Sequence, residues 1–474
     1  MRLRLRIDRT PAESPTAEQA SDDACARRVV VRLLCAAAIL HVTLAVAVYA
    51  LGRSAVLPGT FDENGVAASF ASDGVRYRAD ASELSGALWR GEFGAWLTAD
   101  RPFHVKLYSV CFALFGPLLG YNVLGAEPLN AVFYLACVAL ALHIGRELFG
   151  ARAGLTAACA VALWPSFLLH TTQFLKDPLF AALTLALVLV NVRWLTREYT
   201  LGGALRAGAV GSLVVTALWF ARSGMGALLV ALVVLGALAL SARQLCARRL
   251  LAANVAGALM LLAVTLAVPR LARGALEPGR SPSSARWSAE HATRRESAAE
   301  EIESATREGF LSGAAARVGR VRRRFVELYP DSGSNVDADV RIESASDLLL
   351  YLPRAAEVGF LAPFPDMWLS SGRSVGTAGR LLGGVESLAM YAVEALALIA
   401  LWRTRRRLAA WLLFASAATG VIALGLVAVN VGTLYRLRYV FVMLLIVLAA
   451  EVPARFIERR ANETRALAER GACA

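Results

Sequence analysis

LYSVCFALFGPLLGYNVLG, residues 107–125, is the stretch on which the topology turns. It is apolar enough to suggest a membrane span, yet Gly116-Pro117 interrupts it. Ten other apolar runs are less ambiguous: 29–51, 129–147, 153–172, 178–194, 205–221, 223–241, 250–268, 383–401, 408–430 and 438–453. Each approaches the roughly 20 residues that a helix needs to cross hydrocarbon. Charge decides the status of 107–125. If it does not cross, the short basic segments Arg146/Arg152, Arg193/Arg197/Arg206, Arg243/Arg248/Arg249, Arg403/Arg405/Arg406/Arg407 and Arg455/Arg459/Arg460 all share a side with the N-terminal arginines. If it crosses, all of them change side, against the tendency of arginine to stay cytoplasmic. The run is therefore read as a helix in the outer interface, or one that re-enters without crossing.

The rest of the chain supports this reading. Its 474 residues are 57% hydrophobic and 18% charged, the signature of an integral membrane protein. The net charge of +13 does not point to nucleic acid, because the arginines collect between apolar runs, where they face anionic lipid. Only two lysines occur, Lys106 and Lys176. Seven scattered cysteines show neither metal spacing nor a disulfide framework. The expected fold is an all-α polytopic membrane protein of about ten transmembrane helices, with the N-terminus inside. Residues 1–28 form a cytoplasmic tail, and 29–270 a transmembrane core that includes the first outer loop, 54–128. A large outer loop follows at 271–382, then C-terminal spans at 383–455 and a cytoplasmic tail at 456–474. Within the large loop, Phe310, Leu311, Ala314, Val318, Val321, Phe325 and Leu328 recur at helical spacing. Such a helix either turns Arg317, Arg320 and Arg324 toward lipid phosphate or packs on the ends of the spans.

Polar residues converge on the outer face. In FLLHTTQFLKDPLF, 167–180, Lys176 and Asp177 sit at the turn between two spans, beside His170. Asp177 suits the N-terminus of the incoming helix, with Pro178 in its first turn. Lys176 has less structural reason to be there and suits a phosphate. Arg222 lies in another outer connection, and Arg436 and Arg438 lie at the outer start of the last span. The first loop supplies acids: Asp62 and Glu63, then Asp73 with Tyr77 one helical turn on, and Asp80, Glu83, Asp100 and Glu127. A carboxylate held against an apolar surface gains the proton affinity that a general base needs. No GxGxxG, P-loop or HExxH is present, which disfavours nucleotide-sugar, ATPase and zinc-peptidase chemistry.

The order of a basic tail, one span, an acidic outer loop and then PLNAVFYLACVALALHIGRELFGARAGLTAACAVALWPSFLLHTTQFLKDPLF (128–180) resembles bacterial polyprenyl-phosphate-dependent glycosyltransferases of the GT-C class. These include the protein O-mannosyltransferase-like, aminoarabinose-transferase-like and Rgt-type families. The likeness is best over 60–200 and centres on Gly145–Ser166. It implies a GT-C-like fold in the bacterial cytoplasmic membrane and a polyprenyl-phosphate-linked sugar as donor. The acceptor, whether glycan, lipid or protein, is not named. The resemblance gives the base to an acid of the first loop. Asp73 fits, and so do Asp62 and Glu63. Lys176, Asp177, Arg222, Arg436, Arg438, Tyr77 and His170 are the residues to bind donor phosphate or acceptor. No cofactor is implied; a divalent cation through Asp73 and a second acid stays open, since no spacing identifies one. The alternatives are a polymerase or ligase of lipid-linked glycans, which would use Arg436 and Arg438 rather than Asp73, and a non-catalytic component of glycan assembly or transport.

Overall fold

The structure, a computed structural model, describes residues 17–54, 56, 59–276, 309–328, 333–369 and 376–472. The arginine cluster of the first nine residues, the Ser/Glu/Arg-rich stretch 283–308 and the start of the polar loop at 329–332 lie outside the described residues. Eighteen α-helices are described. In chain order they are α1 (Ala17–Ser54), α2 (Asp73–Trp89), α3 (Phe93–Thr98), α4 (Phe103–Leu119), α5 (Val123–Phe149), α6 (Ala151–Ala162), α7 (Pro165–Thr171), α8 (Asp177–Thr196) and α9 (Leu201–Ala221). Then come α10 (Gly226–Ala247), α11 (Ala252–Leu276), α12 (Phe310–Leu328), α13 (Ala345–Leu361), α14 (Gly376–Arg403), α15 (Leu408–Val427), α16 (Val431–Leu437), α17 (Tyr439–Ala449) and α18 (Glu451–Ala472). Among the described residues no strand forms; the only pairings are isolated bridges, Phe61 with Ala67 and Asn335 with Asn430. Among the described residues, nine helical segments are long and apolar enough to cross a membrane, or ten if α6 and α7 count as one bent span. The architecture is thus the expected all-α polytopic one.

Two boundaries differ from the sequence reading. The run 107–125 does not form one unit. Its first part belongs to α4, a 17-residue helix that continues through Gly116 and Pro117 and ends at Gly120, whose φ of +86° only glycine adopts easily. Its last residues open α5, which starts at Val123 because Asn122 caps it, accepting from the amides of Leu124 and Gly125. Glu127, read as a loop acid, is consequently buried in α5 and bonded through Oε1 to Nδ1 of His41 at 2.6 Å. The run 153–172, read as one span, is broken: α6 and α7 are bent by 64°. Pro165 at the start of α7 has no amide to donate, and it keeps Trp164 out of helical conformation (φ −70°, ψ 111°). Glu386 of α14 completes the break by accepting from the amide of Ser166 at 3.1 Å and from its hydroxyl.

The two ends of the bundle have opposite characters. Several of the arginines between the apolar runs gather around the end of α5: Arg146, Arg193 and Arg197 on one side of it, and Arg152, Arg407, Arg455 and Arg459 on another. There Arg197 reaches Glu147 (2.5 Å), Arg249 reaches Glu198 (3.1 Å) and Arg152 reaches Glu458 (3.6 Å). The other end carries α2–α4, α12 and α13. Helix α12 forms where expected, but its inward face is shifted. Ala315, Ala316, Gly319 and Arg322 face in, while Phe310, Leu311 and Val321 are exposed. Arg322 turns inward because three oxygens await it: Tyr351 Oη (3.1 Å) and the carbonyls of Leu426 (3.2 Å) and Asp337 (2.5 Å).

Helix α13 crosses α15 at small residues. A Cβ on Gly425 would lie 2.0 Å from the Ala355 carbonyl oxygen, and one on Gly359 would lie 2.5 Å from that of Val421. Backbone lies against backbone here, so the crossing cannot widen without moving α13. Gly425→Val is expected to destabilise the protein by about 1–3 kcal/mol, the usual cost of overpacking. A drop in the thermal midpoint in lipid nanodiscs checks this, and an unchanged midpoint contradicts it.

Candidate active site at the loop end of the bundle

Three separate parts of the chain meet at one guanidinium, and a fourth joins them through Asp177. Arg436 lies in the last turn of α16, whose N-terminus is fixed by Asn430 capping Thr433 (3.0 Å). Its Nη2 is 3.2 Å from Asp73 Oδ2, at the start of α2, and its Nε is 3.0 Å from Asp177 Oδ2, at the start of α8. The other oxygen of Asp177 takes Arg222 Nη1 at 2.5 Å, at the end of α9. Arg222 also lies over the Phe180 ring, 5.7 Å from its centroid. Asp177 therefore does not cap its own helix, as the sequence suggested. Lys176 occupies the N-cap position of α8 and makes no side-chain cap either. Asp177 is instead buried and held by two arginines, an arrangement that compensates a charge taken out of water.

Three cations, Lys176, Arg222 and Arg436, thus surround two carboxylates, Asp73 and Asp177. Lys176 has no recorded ion pair and is half-buried. Burial, and next to it Arg222, push its ammonium below an ordinary lysine's value, against the pull of Asp177 and Asp73. The arrangement has a surplus of positive charge at a cation that still needs a partner. Asp73 is the exposed edge of the group: its side chain is 42% exposed, and Oδ1 has no recorded partner. Tyr77, one turn on, packs edge-on against His104 at 4.4 Å. Its hydroxyl is held in the neutral form more firmly than usual by burial, then by Asp73 and Asp177. His104 is fully buried, with both ring nitrogens lacking a hydrogen-bond partner, and burial followed by Lys176 pushes it down to about 3. It is neutral at any physiological pH.

The other expected residues fall elsewhere or play different parts. His170 lies under the cluster. Its Nδ1 meets the Ser166 carbonyl at 2.6 Å, and since a carbonyl only accepts, Nδ1 carries the proton. The Tyr439 hydroxyl is 3.1 Å from the same nitrogen. A small cavity of about 10 Å³, the scale of one water, lies among His170, Thr171, Asp177, Arg436 and Tyr439. Arg438 does not join Arg436. It is 2% exposed, stacks on Tyr435 at 5.0 Å and donates to the carbonyl of Gly359 at 3.2 Å, tying α17 to α13. The side chain at 438 points away because the two arginines are two residues apart on helical backbone, which puts them on different faces. Asp62 is used locally, one oxygen accepting from the amides of Asn64 (2.9 Å) and Val66 (2.7 Å). Glu63 is exposed and makes no recorded contact with the cluster.

A divalent cation does not fit here. Asp73 and Asp177 are the carboxylates that could converge, and Arg436 lies between them, paired to both. Among the described residues no group of three His, Cys, Asp or Glu side chains converges.

Three features escaped the sequence reading. Gln173, fully buried, accepts from the Ala67 amide at 2.8 Å and pins the first loop to the α7–α8 turn. The Tyr108 hydroxyl donates to Asn130 Oδ1 at 2.7 Å and lies 3.3 Å from the carbonyls of Gln173 and Leu175, bracing the same turn. His41, buried in the first span, joins Glu127 to Thr171 Oγ1 (2.9 Å). The available signal was a polar residue inside an apolar run, which is costly unless partnered.

No protein-family model matches the chain, and no curated protein does. Among solved structures, the chain is similar to the archaeal oligosaccharyltransferase AglB from Archaeoglobus fulgidus, in complex with an inhibitory peptide and a dolichol-phosphate. The TM-score is 0.48 at 15% identity, over 93% of this chain and 52% of that one. It is also similar to ArnT from Cupriavidus metallidurans bound to undecaprenyl phosphate, with a TM-score of 0.36 at 15% identity, over 87% of this chain and 77% of that one. The chain spans about half the length of the AglB chain. The likeness is one of helical arrangement, and no residue is carried over from either protein.

Proposed function

We propose that this chain is a GT-C-like glycosyltransferase of the bacterial cytoplasmic membrane, with its N-terminus inside, that moves a sugar from a polyprenyl-phosphate donor to an envelope acceptor at the outer face. The observation that carries the reading is the surplus of positive charge around Asp73 and Asp177, with Lys176 half-buried and unpaired. The phosphodiester of a polyprenyl-phosphate sugar, and the phosphate monoester that leaves, each bring the negative charge that this arrangement lacks; a neutral ligand does not.

Chemically, an acceptor hydroxyl or amine attacks the anomeric carbon while its proton passes to the free Oδ1 of Asp73. The bond between that carbon and the phosphate oxygen breaks, and the electron pair leaves with the phosphate. The configuration inverts. The departing anion is stabilised by Lys176, Arg222 and Arg436 and needs no general acid. Arg438, committed to the Gly359 carbonyl, keeps α16 in place and takes no part in binding.

The lysine makes the reading testable through pH. Its ammonium titrates below the ordinary 10.5, so a phosphate contact that needs its charge is lost as pH rises through that lowered value. In Lys176→Arg the guanidinium stays charged, and the loss of donor affinity moves to higher pH. Donor KM measured against pH in both proteins decides this. Identical alkaline limbs, or a Lys176→Glu protein with unchanged donor dependence, would return Lys176 to a structural role.

A further inference from the structure

A second site lies at the opposite, basic end of the bundle. Helix α5 starts beside the first-loop residues and ends at Phe149; its 27 residues put its two ends about 40 Å apart. Beyond it opens a cavity of about 600 Å³ walled by the α5–α6 turn, by Arg407 and by one face of α18: Glu451, Arg455, Glu458, Arg459 and Asn462. The α18 residues recur every three or four positions, so one stripe of that helix faces the cavity.

The charges do not cancel. Arg152, Arg407, Arg455 and Arg459 face Glu451 and Glu458. Glu451, 1% exposed, is already taken by Arg455 and by Arg403 at 3.9 Å. Arg152 holds Glu458 loosely at 3.6 Å, and Arg407 donates to the Leu148 carbonyl at the end of α5. Arg459 has no recorded partner. The start of α6 adds to the positive field, since its cap residue, Gly150, supplies no side chain to its first amides.

The depth of the cavity follows from the back of the same helix. Phe456 and Ile457, on the turn that carries Arg455, Glu458 and Arg459, are 57% and 52% exposed, and Arg460 stacks on Phe456 at 4.8 Å. Exposed apolar side chains on the helix that closes the last span belong against lipid. Guanidiniums at the same level belong among headgroups.

We propose that this cavity is a binding site for the phosphate of an anionic phospholipid headgroup, held by Arg152, Arg455 and Arg459 with the first amides of α6. It is separate from the outer cluster and does not depend on the transfer reaction. It gives the bundle a lipid-occupied joint between α6 and α18 at the end away from the chemistry.

The test uses the full chain purified in detergent. Binding is followed by native mass spectrometry and by tryptophan-monitored melting, with phosphatidylglycerol, phosphatidylcholine or sodium phosphate added. Phosphatidylglycerol is expected to bind and to raise the melting temperature. Arg152→Gln/Arg459→Gln is expected to weaken that binding at least about tenfold, the effect of losing charge-assisted contacts to one phosphate. Arg405→Gln, two residues before Arg407 but outside the cavity lining and stacked on Trp402 (4.8 Å), is expected to leave it unchanged. Both changed arginines are well exposed, so folding is not at risk, and single Arg459→Gln provides a milder step in the same direction. Equal phosphatidylglycerol affinity in the double variant overturns the site. Equal binding of phosphatidylcholine overturns the reading of charge, and a preference for sodium phosphate over the lipid overturns the lipid as its source.

Discussion

Asp73→Asn is expected to lower sugar transfer by about two to four orders of magnitude, the range associated with loss of a positioned acid–base group, and to leave protein abundance unchanged. Asparagine keeps the shape and an oxygen for Arg436, but its amide cannot take a proton. The fold tolerates the change because Asp73 is the exposed member of the cluster, and Arg436 retains Asp177. The matching control is Asp62→Asn. Asp62 uses one oxygen to accept two backbone amides, and asparagine can accept both, so that protein is expected to stay active. An active Asp73→Asn beside a dead Asp62→Asn would mean that the base lies at the start of the loop. Two active proteins would remove the first loop from the mechanism. Full activity of Asp73→Asn with loss in Arg436→Ala would favour the ligase-like alternative.

The second large effect is at Arg436, and it touches both stability and donor binding. Its guanidinium and the Asp177 carboxylate are 14% and 8% exposed. Deleting one partner of a buried pair costs about 3–5 kcal/mol because the other charge is left behind. Here Arg222 still holds one oxygen of Asp177, which places Arg436→Ala at the low end of that range. Hydrogen bonds to charged groups contribute about 1.5–3 kcal/mol each, so donor KM is expected to rise at least about tenfold in the same protein. Arg436→Lys separates the two effects. A lysine keeps the charge but cannot bridge Asp73 and Asp177 as a planar fork does. It should recover part of the melting temperature and little of the activity. Recovery of both in Arg436→Lys would reduce this residue to a point charge.

Much of this was legible in the sequence, and the reasons are local. Long apolar runs show themselves by length alone, and the arginine segments between them were the reason for reading 107–125 as a helix that does not cross on its own. Lys176, Asp177, Arg222 and Arg436 were each found as charges at span ends, but their mutual pairing was not visible, because 363 residues separate Arg436 from Asp73. Arg438 was grouped with Arg436 by proximity in sequence, although helical geometry turns the two apart. The break between α6 and α7 was signalled by Trp164-Pro165, but the apolar run concealed it. Its other half, Glu386, lies 220 residues away. Glu127 was counted as a loop acid because the apolar run begins at 129 and the loop was drawn to 128; the capping Asn122 starts the helix at Val123. Pairings between distant polar residues depend on how the helices pack, which composition and periodicity do not specify.

The central claim is that the Asp73–Arg436–Asp177 cluster with Lys176 transfers a sugar from a lipid phosphate. Its most direct test is an assay with the protein in lipid nanodiscs, a panel of radiolabelled polyprenyl-phosphate sugars and a crude envelope extract as acceptor, run beside Asp73→Asn. The account predicts label in an acceptor from at least one donor with the intact protein and near-background label with Asp73→Asn. No transfer from any donor by a correctly folded protein, or equal transfer by both proteins, would contradict it.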